Sequence, residues 1–146
     1  MIAIGCDHAG VEMKKAVIEE LSEKGFEFKD MGTDGQSCDY PVIAKAVCNE
    51  VVSGNCEKGI LICGTGIGMS IAANKVKGIR AALCSDSFST KFTRLHNDSN
   101  VMCMGARVLG NGLAVELAEI FLTTGFEGGR HQRRIDLITD IENNNL

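Results

Sequence analysis

GILICGTGIGMSIAA, residues 59 to 73, is the stretch of sequence that decides the fold. Its first part, Gly59 to Cys63, is a short apolar run typical of a buried parallel strand, and the pattern becomes helical from Ile67. Gly64, Gly66 and Gly68 therefore fall in a strand-to-helix turn. The backbone N–H groups of such a turn, together with the partial positive charge of the helix start, suit a phosphate, carboxylate or enolate-like oxygen.

Cys63 ends the predicted strand directly beneath these donors. A thiol beside a helix N-terminus ionises more readily than a free thiol, which would make Cys63 a usable base or nucleophile near neutral pH. The alternative is a core cysteine above a tight turn, because free cysteines are most often buried and inert. This stretch alone leaves both interpretations open.

Composition narrows the class of protein. The chain has 146 residues and a formal net charge of −4, so we expect one domain spanning residues 1 to 146 and no nucleic-acid partner. No apolar run is long enough to cross a membrane. The seven cysteines are odd in number and contain no CxxC pair, which predicts reduced thiols and a cytoplasmic location.

Strand-like and helix-like segments alternate five times along the chain. The predicted strands are 1–6, 26–31, 59–63, 78–84 and 100–104, the helices between and after them are 9–24, 40–52, 67–73, 87–95 and 112–122, and a final helix is 130–142. This alternation predicts a Rossmann-like, three-layer α/β/α sandwich with a five-stranded, mostly parallel sheet. Ligands then bind at the carboxyl ends of the strands.

Polar side chains follow two of these strands. Asp7 and His8 come directly after the first strand, so we expect them on the same edge as Cys63. The alternatives are that Asp7 caps the first helix and that His8 is a solvated loop residue. Tyr40 lies in the next strand-end loop, where Asp39 has the sequence position of a helix cap.

Two further groups of candidate residues come late in the chain. His96 and Asn97 precede the fifth strand, and histidine titrates close to neutral pH. Arg130 and Arg134 are spaced i, i+4, so they project from one face of the last helix and could grip a phosphate, whereas His131 and Arg133 point elsewhere. The alternative for the arginines is a solvated basic face.

The spacing of the candidate residues matches no metal-binding motif and no complete nucleotide-binding motif. HExxH and paired CxxC motifs are absent, and Asp7 with His8 offers too few ligands, so we predict no metal. Gly64-Thr65-Gly66-Ile67-Gly68 is one residue short of the dinucleotide fingerprint GxGxxG, although Asp86 lies about 20 residues further on, where that fold needs an acidic residue. A Rossmann-type nucleotide-binding module without catalytic activity therefore remains the alternative.

Five ordered blocks together resemble the ribose-5-phosphate isomerase B family over essentially the whole chain. They are IGCDHAG at the start, DYP at 39–41, CGTGIGMSIAANK at 63–75, RLHNDSNVMCMGAR at 94–107, and the late arginine pair. The resemblance implies an aldose-ketose isomerase that acts on a phosphorylated sugar without metal or cofactor. The wider family also contains allose-6-phosphate and galactose-6-phosphate isomerases, so the natural sugar stays open.

The resemblance also implies a role for each candidate residue. Cys63 corresponds to the base, and His96, assisted by Thr65, to the residue that opens the sugar ring. The loop that holds the enediolate corresponds to Gly64, Gly66, Ile67 and Gly68. Asp7 and Asn97 correspond to ligands of the substrate's hydroxyls, and Tyr40 is a further substrate-binding residue. The residues that correspond to phosphate ligands are His8, Arg107, Arg130 and Arg134. Members that lack the cysteine use a glutamate at the position of Met69, so this chain fits the cysteine branch.

The order of elements predicts how such a site is assembled. Cys63 closes the third strand at the carboxyl edge of the sheet, whereas His96 and Asn97 precede the fifth strand at the opposite edge. If both edges serve one sugar, the histidine must come from a second chain. We therefore expect a homodimer with shared active sites, or a tetramer built from such dimers, with the helix at 130–142 on or near the partner.

Overall fold

A computed structural model of residues 1–146 places the decisive stretch at the centre of a five-stranded sheet. Strand β3 (Lys58–Cys63) lies between β1 (Ile2–Cys6) and β5 (Val101–Gly105), and β2 (Phe28–Asp30) and β4 (Ala81–Leu83) form the two edges. The strand order is β2-β1-β3-β5-β4, and every neighbouring pair is parallel. The predicted mostly parallel sheet is thus confirmed, and it is parallel throughout.

Helices cover both faces of this sheet. They are α1 (Val11–Ser22), α2 (Tyr40–Val52), α3 (Ile67–Ala73), α4 (Ser87–Asn97), α5 (Asn111–Thr123) and α6 (Arg130–Glu142). Helices α1 and α5 pack on one face, and α2 and α3 pack on the other. The three-layer sandwich predicted from the sequence is therefore confirmed. None of the helices combines the length and apolarity that crossing a membrane requires.

Two apolar cores hold the layers together. Leu21 of α1 and Phe121 of α5 are fully buried against one face of the sheet, and Val47 of α2 and Met69 of α3 are fully buried against the other. Burying a side chain of this size contributes about 1.5 to 3 kcal/mol. Because α3 begins immediately after the glycine turn, the burial of Met69 also anchors the helical side of that turn.

Strand β4 is shorter than the predicted 78–84 because side-chain amides bind its approach. Asn74 donates from Nδ2 to the Ala81 carbonyl and accepts from the Ala81 N–H through Oδ1, at 3.0 and 2.9 Å. The N–H of Arg80 donates to Asn100 Oδ1 at 2.8 Å. These amides satisfy backbone groups of Ala81, the first residue of β4, and of Arg80, the residue before it.

Helix α4 runs past the predicted end at Leu95 to Asn97. Asp98 ends it in the left-handed conformation, with φ at 45°, and its carboxylate accepts from Arg94 Nη1 at 2.8 Å. His96 and Asn97 consequently lie in the last helical turn rather than in a loop. Because α4 runs back from the carboxyl edge of the sheet, that turn lies at the opposite edge.

Candidate active site

The glycine turn surrounds the thiol of Cys63 with backbone. Cys63 is the last residue of β3 and is only 5% exposed. The N–H of Gly66 donates to its sulfur at 3.1 Å. A hydrogen bond of this kind stabilises the thiolate, which is the form of cysteine that acts as base or nucleophile.

Direct packing on the end of β5 fixes the shape of this turn. The N–H groups of Ala106 and Arg107 donate to the carbonyls of Cys63 and Gly64 at 2.8 and 3.0 Å. A Cβ on Gly105 would lie 2.7 Å from the Thr65 backbone, so the two chain segments touch there. The turn therefore belongs to the rigid sheet edge.

Several backbone donors of the turn are free. The Ile67 N–H is satisfied by Thr65 Oγ1 at 3.2 Å, but the N–H groups of Gly64, Thr65, Gly68 and Met69 donate to no acceptor within the chain. Free N–H groups next to a thiol are the donor set that an oxyanion-binding site needs.

An open pocket of about 490 Å³ lies over the thiol. Its lining residues are Asp7, Tyr40, Cys63, Gly64, Thr65, Ile67, Gly68, Ile71 and Arg107. The volume is within the range of about 300 to 1,000 Å³ that is usual for small-molecule sites. The pocket lies beside the neighbouring ends of β1 and β3, where the strand order reverses and where α/β sheets bind ligands.

Three polar side chains form its walls. The carboxylate of Asp7 accepts from the Ala9 N–H at 2.9 Å through Oδ1, while Oδ2 makes no hydrogen bond within the chain. The interpretation of Asp7 as a helix cap is wrong, because α1 begins after Gly10. The ring of Tyr40 lies against Gly68, and the guanidinium of Arg107 lies against Gly64, where an added Cβ would be 3.5 Å from Nη1.

Six of the predicted site residues do not line this pocket. His8 is exposed, next to Asp7, and Arg130 and Arg134 are exposed on α6. His96 and Asn97 lie at the other edge of the sheet, where they border a separate surface pocket between β4 and α4. Gly66 is buried under the turn and reaches the site only through its hydrogen bond to Cys63.

His96 belongs to a second polar cluster. Its Nε2 lies 3.4 Å from Glu127 Oε2, and its ring stacks on that of His131 with centroids 4.0 Å apart. Burial lowers the pKa of His131, and the charges of His96, Arg130 and Arg134 lower it further. His131 is buried at this contact whereas Arg130 and Arg134 are exposed, so it lies on a different face of α6 from the arginine pair. His96, Glu127 and His131 also present possible metal ligand atoms within 4.8 Å of one another.

Other thiols near the sheet are poor candidates for the base. Burial raises the pKa of Cys6 to about 11, although its sulfur lies near the site and donates to the Thr33 carbonyl at 3.6 Å. Burial likewise raises the pKa of Cys84 to about 11. Neither thiol would be ionised near neutral pH.

Sequence reasoning missed Ile71, Glu127 and His131 as neighbours of the candidate residues. Ile71 lines the pocket one helical turn after Ile67, so the i, i+4 spacing on α3 could have indicated it. Glu127 and His131 depend on how α6 packs against α4, and no local pattern in the sequence signals that contact.

Two glycine substitutions should show which glycine of this turn is required for its packing. Gly66 has φ at 78°, and a Cβ there would lie 2.6 Å from Leu83 and 2.8 Å from the Met104 carbonyl carbon. Gly66→Ala should therefore lower the free energy of unfolding by about 1 to 3 kcal/mol, whereas Gly64→Ala, which meets only ordinary contacts with Arg107, should stay near wild type. Urea unfolding measures both. Equal stability of the two variants would contradict the observed packing.

Comparison with known proteins gives matches along nearly the whole chain. The profile of a family described as Ribose/Galactose Isomerase matches residues 2–138. Ribose-5-phosphate isomerase B of Escherichia coli is 48% identical over 142 residues, covering 97% of this chain and 95% of that protein.

Two solved structures are also very similar. Ribose-5-phosphate isomerase B of Clostridium thermocellum superposes with a TM-score of 0.96 at 46% identity, covering 98% of this chain and 97% of that one. The Mycoplasma genitalium enzyme of the same name, solved with bound ribulose-5-phosphate, gives a TM-score of 0.93 at 41% identity over 97% of this chain and 95% of that one.

Proposed function

Because the chain belongs to the ribose/galactose isomerase family, as its motifs predicted, we propose that it interconverts ribose 5-phosphate and ribulose 5-phosphate. The observation that carries the proposal is the hydrogen bond from the Gly66 N–H to the Cys63 sulfur at the base of the pocket. The names of the relatives from Escherichia coli, Clostridium thermocellum and Mycoplasma genitalium support the same substrate. A nucleotide-binding module would leave this thiol without a purpose.

The proposed reaction begins from the open-chain aldose. The Cys63 thiolate takes the proton from C2, and negative charge develops on O1 as the enediolate forms. The O2 hydroxyl proton then passes to O1, and the thiol returns its proton to C1, which completes the ketose. One group thus serves as base and acid, and its ideal pKa lies near the working pH.

The free N–H groups of Gly64, Thr65 and Gly68 stabilise the oxygen on which this charge develops. Loss of one such donor in an enzyme costs roughly 3 to 4 kcal/mol of transition-state stabilisation. Asp7 and Tyr40, at the pocket wall, bind hydroxyls of the sugar. No step requires a metal or a cofactor.

Ring opening precedes these steps when the substrate is cyclic. The C1–O4 bond breaks, the ring oxygen gains a proton, and the anomeric hydroxyl loses one to solvent. We assign the proton donor to His96 of a second chain, assisted by Thr65, with Asn97 next to it as a hydroxyl ligand. His8, Arg107, Arg130 and Arg134 bind the phosphate, and the energy of that remote contact positions the reacting carbons.

Exposed apolar side chains near the pocket support a homodimer, alone or within a tetramer. Ile67 and Ile71 at the pocket are 50% and 58% exposed, and Val42 on the adjacent α2 is 67% exposed. On α6, Ile138 and Ile141 are also exposed, which supports placing that helix near the partner. Contiguous apolar surface of this kind marks an interaction site.

The cysteines support a cytoplasmic location. All seven are free; six of them are buried, and Cys38 is half-buried. Proteins with many unpaired thiols are typical of reducing compartments.

An isomerase assay tests the proposed function. The purified protein is given ribose 5-phosphate, allose 6-phosphate and galactose 6-phosphate in separate reactions, each with and without a chelator. We expect turnover of ribose 5-phosphate that the chelator does not change. Turnover of a six-carbon sugar alone would reassign the substrate, and turnover of none, together with NAD binding, would favour the nucleotide-binding module.

The phosphate assignment makes a separate prediction about α6. Arg130→Ala and Arg134→Ala should each raise KM for ribose 5-phosphate roughly 10- to 100-fold, because a hydrogen bond to a charged group contributes about 1.5 to 3 kcal/mol. Arg133→Ala is the matched control, since Arg133 is exposed on the same helix and is not assigned to the phosphate. Steady-state kinetics measures all three variants. A similar KM in all of them would mean that the pair is only a solvated basic face.

A further inference from the structure

The side chain of His96 is held by contacts with Phe92, Glu127 and His131. A proton donor alone would not need all three. The edge of the Phe92 ring faces His96 at a centroid distance of 5.0 Å, and the His131 ring stacks on it at 4.0 Å. Glu127 Oε2 lies 3.4 Å from His96 Nε2 and 3.9 Å from His131 Nε2. Two aromatic contacts and one carboxylate therefore define where this imidazole lies.

We infer that Glu127 is a positioning residue for His96: its carboxylate holds Nε2, which leaves Nδ1 as the nitrogen available to the sugar. The inference rests on the proposed function, in which His96 acts on the substrate of a neighbouring chain. A carboxylate on one ring nitrogen fixes the tautomer and orientation of a histidine and so determines what its other nitrogen can do.

Backbone hydrogen bonds fix the carboxylate relative to α4. The Glu127 N–H donates to the Leu95 carbonyl at 3.0 Å, one residue before His96. Arg94 Nε donates to the Thr124 carbonyl at 3.1 Å, and the Arg94 side chain is almost fully buried. The connection between α5 and α6 is thus tied twice to the last turns of α4, and Glu127 reaches His96 without a flexible linker.

The stacked histidine directs the carboxylate toward His96. His131 is buried, and its pKa is lowered by burial and by the charges of His96, Arg130 and Arg134, while the charge of Glu127 raises it. Its ring provides a flat packing surface for His96, and its Nε2 lies 3.9 Å from Glu127 Oε2, farther than the 3.4 Å of His96 Nε2. Glu127 therefore pairs preferentially with His96, which is half-buried.

A shared metal ion would explain the cluster less well. The planes of the two imidazoles are within 14° of parallel and their centroids are 4.0 Å apart. A metal ion binds along the lone pair, which lies in the plane of the ring, and one ion cannot lie in two stacked parallel planes. The arrangement fits a carboxylate that organises a proton donor.

Kinetics of a double-mutant cycle tests the inference. Glu127→Gln keeps the shape of the side chain and removes its charge, and we expect kcat for ribose 5-phosphate to fall about 10-fold with KM nearly unchanged, because small misplacements of a catalytic group can cost up to about 100-fold. In a His96→Gln background the same change should cause no further loss. Glu127→Asp, which retains the charge, should keep more activity than Glu127→Gln. Glu116→Gln is the matched control, since Glu116 is exposed on α5 outside the cluster.

Nitrogen NMR of the histidine rings gives a readout that does not depend on turnover. The His96 ring resonances should shift in Glu127→Gln and stay unchanged in Glu116→Gln. Unchanged His96 resonances, wild-type kcat in Glu127→Gln, or an equal loss in both backgrounds would each overturn the inference. A wild-type protein inactive on ribose 5-phosphate would instead contradict the proposed function, while the resonances would still report on the contact.

Discussion

Cys63→Ala should lower kcat for ribose 5-phosphate by about 100- to 10,000-fold, because that is the usual contribution of a positioned general acid–base group. KM should change little, since the thiol acts on C2 and C1 in the transition state and contributes little to the affinity for the bound sugar. The fold should survive, because alanine at the end of β3 keeps the strand and removes only the sulfur that accepts from the Gly66 N–H. Steady-state kinetics and the thermal midpoint measure the two effects.

Alkylation provides an independent view of the same thiol. Iodoacetamide should inactivate the wild-type protein, and bound substrate should protect it, because the proposed substrate site lies over Cys63. Cys38→Ser is the matched control, because Cys38 is the most accessible of the seven cysteines. The serine variant should be inactivated as fast as wild type. If Cys63→Ala kept more than a few per cent of wild-type kcat, Cys63 could not be the base.

Prolines and glycines at the ends of predicted helices, together with the pattern of apolar residues, were enough to predict most of the fold. The bounds of α2, α3 and α6 agree with the sequence prediction, because Pro41, the glycines of the turn and Gly129 mark helix starts that depend only on nearby residues. The repeated alternation of apolar runs and amphipathic segments was likewise enough to predict the parallel sheet.

Features that depend on distant residues could not be predicted in the same way. The start of β4 is determined by the Asn74 and Asn100 amides, which come from other segments of the chain. The prediction that Asp7 could cap α1 failed for a local reason instead: its carboxylate binds the Ala9 N–H in a short turn that precedes the helix. The stack of His96 on His131 arises only when α6 packs against α4.

The site was predictable in part, because its residues either are close in sequence or lie at the same edge of the sheet. Cys63, Thr65 and the glycines are neighbours in sequence, and Asp7, Tyr40 and Arg107 follow strands or begin helices at the carboxyl edge of one parallel sheet, so topology places them together. The proposed contribution of a second chain has no such local signal and is inferred only from the order of elements.

The second prediction with a large expected effect is that each active site combines residues of two chains. Cys63 lies at the carboxyl edge of β3, and the last turn of α4, which carries His96, lies at the opposite edge. A strand of about five residues separates the two edges by roughly 17 Å. One sugar phosphate cannot touch both residues of one chain, so the proposed reaction requires sites that combine Cys63 of one chain with His96 of another.

Co-refolding the inactive Cys63→Ala variant with the weakened His96→Gln variant tests the shared site directly. Equal amounts of Cys63→Ala and His96→Gln are unfolded, mixed and refolded, and mass spectrometry verifies that the chains have mixed. Random pairing in a two-fold dimer leaves about a quarter of all sites with both wild-type residues, so we predict recovery of about a quarter of wild-type turnover of ribose 5-phosphate. Activity no higher than the average of the two separately refolded variants, despite verified mixing, would contradict the shared site.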